Sequence, residues 1–491
     1  MKRESGILLH ISSLDGKYGI GTLGEESFKF IDFLEQTSTS IWQVLPLVPT
    51  SFGNSPYQSF SSFAGNPLLI DLEDFINYGW ISKSDLEKLP VSETSIVDYQ
   101  KIEPLKNEIL RKAFQAFLEQ KNFIDFEKFR HDNYFWLDDY SLFMAFKDYY
   151  NQAPLNLWDK KIQTRDEATI EYYKQRFKHN IEYYQFVQFV FFKQWSSLKS
   201  YAKEKGIKIM GDIPIYVALD SADVWSNPQL FQLDKELNPS FVAGVPPDYF
   251  SEDGQLWGNP LYNWEANKLE DYKWWFSRIK FHFEMFDMIR IDHFRAFSEY
   301  WAVPFGEETA INGSWQKAPG YDFFESLKSK HGALEIVAED LGIITPDVEE
   351  LRDYFSFPGM KILQFAFDND SKNAYLPHNY EQNFVVYTGT HDNDTTEGWW
   401  NSLSNEQKDE VEQYLGSNID SISLAMIRLA WSSVARIAIA PMQDFLKLDS
   451  TSRMNIPGTC INNWQWKMTT NQWKDELMET ISNLNSIYNR C

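Results

Sequence analysis

Arg290 and Asp292 stand two residues apart in the run Met288-Ile289-Arg290-Ile291-Asp292-His293-Phe294. On an extended strand, side chains at that spacing point to the same side. A guanidinium set against a carboxylate keeps the acid ionised. An ionised, positioned carboxylate is what attack on a sugar anomeric carbon requires; a plain structural ion pair would give the same spacing. Ala338-Glu339-Asp340-Leu341-Gly342 carries a second carboxyl at the end of another apolar run. Glu339 can serve as general acid and then base if burial and nearby negative charge raise its pKa. Cleavage with retention needs two such carboxyls about 5 Å apart. Gly389-Thr390-His391-Asp392-Asn393-Asp394 adds a third acid, Asp392, beside His391. It can bind sugar hydroxyls and stabilise oxocarbenium charge, or simply shape an Asx turn. His391-Asp392 could also be a pair of metal ligands, but with no His or Cys cluster nearby neither a metal nor another cofactor is expected.

Each of these acids needs a scaffold to bring it to the others. Apolar runs of strand length lie at 6–10, 41–46, 207–212, 288–292, 335–340, 360–365, 384–388 and 435–440. Helical patterns, among them 25–36 and 183–205, separate most of them. Eight strands alternating with helices predict an α/β fold closed as a (β/α)8 TIM barrel; an open doubly wound sheet is the alternative. His10, Asp212, Asp292 and Glu339 close four runs, and His391-Asp392 follows a fifth. Any one of them would pass for a helix cap or turn residue. In a barrel, however, all C-terminal strand ends open on one cleft, so five on separate strands predict a shared site. Two excursions interrupt the rhythm. Residues 50–178 are mostly helical in pattern, and 217–271 read as ordered loops rich in Pro, Gly, Asn and Asp. Both are expected to be subdomains around the cleft of a single catalytic domain spanning 1–491.

The 491 residues carry a net charge of -24, which disfavours a polyanionic partner such as nucleic acid and suits a neutral substrate. The 38 Phe, 25 Tyr and 18 Trp imply an aromatic core, with some faces left as platforms for sugar rings. Two cysteines, Cys460 and Cys491, suggest no disulfide framework. No run approaches the roughly 20 apolar residues of a membrane span, and the first residues lack a signal-peptide core. A cytoplasmic protein is the expectation. Gly19-Ile20-Gly21-Thr22-Leu23-Gly24 is formally a dinucleotide fingerprint. The polar loop 11–18 parts it from the preceding strand, and the next strand ends without a ribose-binding acid, so nucleotide binding is not expected.

Longer co-linear motifs settle on one family. Ser5-Gly6-Ile7-Leu8-Leu9-His10, Asn54-Ser55-Pro56-Tyr57-Gln58-Ser59-Phe60, Gly211-Asp212-Ile213-Pro214-Ile215-Tyr216 and Gly244-Val245-Pro246-Pro247-Asp248-Tyr249-Phe250 come first. Gly254-Gln255-Leu256-Trp257-Gly258-Asn259-Pro260 and the three acid-bearing runs complete the set. Over essentially its full length the chain resembles the amylomaltases, or 4-α-glucanotransferases. That resemblance implies α-1,4-glucan and malto-oligosaccharide substrates and a barrel without a C-terminal β-sandwich. It implies Asp292 as nucleophile, Glu339 as general acid/base and Asp392 as the stabilising third acid. Arg290, His391, Asp212 and Tyr57 match positions that hold the nucleophile or the sugar, while Asp248 and Trp257 match a mobile loop over bound glucan. One departure is visible: the family's prolines after the first strand are replaced by Ile11 and Asp15. A hydrolase using water as acceptor, or a glucan-binding protein without chemistry, would need the same barrel and cleft.

Overall fold

Parallel strands covered on both faces are written as unbroken apolar runs, and the eight runs become eight strands. In the computed structural model, which describes every residue except 1, 52, 92–93, 121–122, 248–250, 417–418, 460, 470–471 and 473, β1 is Glu4–Leu8, β2 Ile41–Gln43, β3 Lys208–Ile213 and β4 Met288–Ile291. The remaining four are β5 Ile336–Ala338, β6 Gly359–Ile362, β7 Phe384–Tyr387 and β8 Ile437–Pro441. They hydrogen-bond in the order β6-β7-β8-β1-β2-β3-β4-β5, every pair parallel. The ring closes between β5 and β6 through the Ala338 amide on the Pro358 carbonyl, at 2.9 Å. There the Asp340 carboxylate takes the place of a strand carbonyl. It accepts the Met360 amide at 2.7 Å and the Arg352 guanidinium at 2.5 Å. The result is a (β/α)8 barrel.

The helix Glu25–Gln36 forms over the range its pattern predicts, burying Phe30, Ile31 and Leu34, with Glu25 and Glu26 in the favourable first turn. Lys178–Glu204 starts one turn and more before the predicted 183. It is the spine of the first excursion, whose helices Tyr99–Glu119, Ile124–Asp132 and Tyr134–Tyr149 stack against it through Phe114, Phe117, Phe126, Trp136, Phe186 and Phe192. Much of the aromatic content is consumed there as core.

The structure differs from the sequence-based expectation at two places. Residues 363–365, predicted as strand, form a 3-10 turn after β6. The second excursion is more than loop. Its strands Phe241–Val245 and Gln255–Pro260 join Glu299–Pro304 and Ser314–Lys317 in a four-stranded antiparallel sheet beside the barrel mouth. Gly258, Asn259 and Pro260 hide one strand from propensity, and Ser314–Lys317 is too exposed to show an apolar run. After β8 the described residues contain no further strand, and no helix is long and apolar enough to cross a membrane.

Candidate active site

Strands β3 and β4 pair with Asp212 opposite Arg290, so both side chains, and Asp292 two residues on, turn to the same side. The Arg290 guanidinium donates to Asp212 Oδ2 at 2.6 Å and to Asp292 Oδ1 at 2.8 Å. Tyr57, delivered by the excursion after β2, donates its hydroxyl to the same Asp212 oxygen at 2.7 Å. Burial alone would lower the proton affinity of Arg290, but Asp212 and Asp292 hold it well above the usual arginine value.

Strand β5 stands beside β4 with Ala338 opposite Ile291. Glu339 and Asp292 therefore leave neighbouring strands at the same height. The Glu339 carboxyl accepts the His293 amide at 2.6 Å and the Leu341 amide at 3.0 Å. His293 can present its amide because it adopts the left-handed conformation, φ 50° and ψ 48°. That is uncommon away from glycine and concentrates at functional sites.

The two acids differ in proton affinity. Burial lifts Glu339 to about 8, with Asp292 adding to the rise and Arg290 and the His293 amide opposing it. Burial also pushes Asp292 up, to about 6, against Arg290. The spacing of the pair led us to expect a lowered Asp292, but spacing does not report desolvation. Even so, 27% of the Asp292 side chain stays open, and near neutrality it is the acid of the two that gives up its proton. Asp392 behaves oppositely. Burial would raise it, yet His391 and Asn455 hold it well below the usual carboxylate range.

Asp392 is fixed from the C-terminal segment. Asn455 Nδ2 donates to its Oδ1 at 2.6 Å, and Arg453 Nη2 donates to its backbone carbonyl at 2.7 Å. The His391 ring stacks on Tyr57 with centroids 5.3 Å apart, and Trp464 leans on both. His10 lines a small cavity with His391; burial first, then His391, drives its imidazole down to about 3, so it is neutral.

Seven of the nine site residues singled out from the sequence thus meet at one mouth: Tyr57, Asp212, Arg290, Asp292, Glu339, His391 and Asp392. Trp257 reaches it by packing edge-on against His293 at 4.8 Å. Asp248 lies outside the described residues. Asn455, Arg453 and Trp464 were missed, since they lie in irregular chain beyond β8; the closely spaced Trp464 and Trp466 were the available signal. The glycine-rich segment near the start is a packing device. A Cβ on Gly21 would lie 1.9 Å from the Ile11 carbonyl oxygen. Among the described residues no group of three or more His, Cys, Asp or Glu is arranged to hold a metal ion.

Strand-end carboxylates of split proton affinity around one buried arginine define an acid/base enzyme on a (β/α)8 barrel. A sequence profile described as 4-alpha-glucanotransferase matches residues 9–472. The 4-alpha-glucanotransferase of Clostridium butyricum is 48% identical over 487 residues, 98% of this chain and 100% of that one. That of Synechocystis sp. is 49% identical over 500 residues, covering 100% and 98%. The structure of the amylomaltase from Streptococcus agalactiae in complex with acarbose superposes with a TM-score of 0.97 at 43% identity over 100% of both chains. The chain belongs to the 4-α-glucanotransferase family and is a glycosyl-transferring enzyme of carbohydrate metabolism.

Proposed function

We propose that Asp292 attacks the anomeric carbon of an α-1,4-glucan while Glu339 protonates the departing glycosidic oxygen. The bond from that carbon to oxygen breaks as the bond to the Asp292 carboxylate forms, giving a β-glucosyl-enzyme. Glu339, now ionised, takes the proton of the 4-hydroxyl of an acceptor glucan, which displaces Asp292 and restores the α configuration. Asp392, kept ionised by His391 and Asn455, stabilises the oxocarbenium charge that develops between these two states. Tyr57, Asp212 and Arg290 hold the nucleophile, and His391 and Trp257 border the sugar.

The observation that carries this reading is the split between neighbouring carboxyls: Glu339 keeps its proton to about 8 while Asp292 loses its own at about 6. Because the two groups interact, the limbs of the activity profile belong to the pair. The kcat/KM for maltotriose should rise as pH increases through about 6, where Asp292 ionises. It should fall through about 8, where Glu339 loses the proton it must donate. A profile still rising above pH 9 would remove Glu339 as acid.

Malto-oligosaccharides are the substrates this site suits, in line with the uncharged acceptor and with the acarbose complex of the Streptococcus agalactiae protein. Incubation with maltotriose should yield glucose together with chains longer than the starting sugar; shorter chains alone would make water the acceptor. We also read the chain as one catalytic unit with 50–178 and 217–271 as cleft walls. A reducing, cytoplasmic setting fits the exposed free thiol of Cys491.

A further inference from the structure

The Glu339 carboxyl is held by two backbone amides on two different loops. Oε2 takes the amide of His293, in the turn after β4, and Oε1 takes that of Leu341, in the turn after β5. Anything that lets those turns drift apart opens one of the two hydrogen bonds. Backbone hydrogen bonds join the two segments only as far as Glu339, whose amide donates to the Ile291 carbonyl at 3.1 Å and whose carbonyl accepts the Phe294 amide at 3.0 Å; Leu341 and Ile343 lie beyond them and need a further tie.

Arg295 supplies it. Two residues beyond His293, its Nη1 donates to the carbonyl of Ile343, two residues beyond Leu341. From His293 to Arg295, across to Ile343, and back to Leu341, the chain forms a closed loop with the Glu339 carboxyl as its other bridge. Arg295 is 3% exposed, and its guanidinium carbon lies 3.9 Å from the ring centroid of Trp315, on the edge strand of the antiparallel sheet. Such a stack orients a planar cation and shields its hydrogen bond from water. Asp347 and Glu299 balance its charge. Asp347, in the first turn of the following helix Pro346–Tyr354, also accepts the Ser298 hydroxyl, a second tie across the same gap. Trp315 itself is 38% exposed and donates no hydrogen bond to the site.

We infer that Arg295 is a positioning residue for Glu339: stacked on Trp315, it ties the turn after Asp292 to the turn after Glu339 and so fixes the acid between its two amide donors. This rests on Glu339 acting as the general acid. Nothing in the geometry ties Arg295 to the Asp292 carboxylate, which Arg290 holds from the barrel interior. Loosening the tie should therefore harm protonation of the leaving group and spare attack by the nucleophile.

A donor that needs no acid separates these steps. The first fluoride released from α-maltosyl fluoride requires Asp292 but not Glu339, because fluoride leaves without a proton. For Trp315→Ala, which removes the stack from a partly exposed position, kcat on maltotriose should fall at least tenfold while the fluoride burst stays within twofold of the parent. Arg295→Ala should show the same split more strongly, and Arg295→Lys, which keeps a donor for Ile343, should recover part of it. Equal slowing on both donors would make Arg295 a merely structural residue, and no slowing on either would dismiss it. Glu339→Gln is the control for the underlying assignment. If that variant also fails to separate the donors, Glu339 is not the acid; if it separates them and the Arg295 and Trp315 variants do not, the positioning role alone fails.

Discussion

Asp292→Asn is expected to lower maltotriose turnover by about 10⁴-fold or more, the scale at which loss of an attacking group is felt. The substitution is nearly isosteric, and Arg290 keeps Asp212 as a charged partner at 2.6 Å, so the barrel mouth should keep its shape. An amide cannot form the glycosyl ester, and the remaining groups can only bind. Titration calorimetry with a long malto-oligosaccharide should therefore give a Kd within a few-fold of the parent. Turnover within tenfold of the parent would place the nucleophile elsewhere.

The second large effect concerns folding as well as catalysis. Arg290→Met removes the cation from between two carboxylates, and Asp212 is then buried with only the Tyr57 hydroxyl on its Oδ2. Breaking a buried ion pair from one side destabilises by about 3–5 kcal/mol, because the surviving charge is left uncompensated. A lower midpoint in urea should reveal it, accompanied by near-complete loss of transfer because Asp292 loses the group that favours its ionised form. The double variant Asp212→Asn, Arg290→Met should regain much of the stability and none of the activity, since the orphaned charge is gone but the cation is still missing. If the single variant unfolds at the parent's urea concentration, the triad contributes little to folding and its value lies in chemistry alone.

The parts of this molecule that local patterns dictate are the parts the sequence made legible. Strands buried on both faces must be apolar throughout, so β1 to β8 were visible as runs, each within a few residues of its observed bounds. The side-chain period of two made Arg290 and Asp292 a pair before any coordinate was known. What escaped depends on contacts between distant segments. Asn455 and Arg453 reach Asp392 across more than 60 residues of sequence, with no periodicity to announce them. Arg295 meets Trp315 from a different element, and neither residue type nor spacing foretells a stack. The elevated proton affinity of Asp292 is of the same kind. The sequence displays its nearest charge but not the depth of its burial, and depth decides the sign.

The seam of the barrel has a consequence for how the enzyme moves. Seven strand junctions are laced by regular ladders, whereas the eighth is fastened by one amide and a side chain, that of Asp340. This is the residue next to Glu339, the proposed proton donor. The hoop is thus weakest where the acid is mounted, and thermal opening should begin there. Amide deuteration of 359–362 should outpace that of the fully buried strand 288–291, and the wall that carries Glu339 is the one readiest to yield.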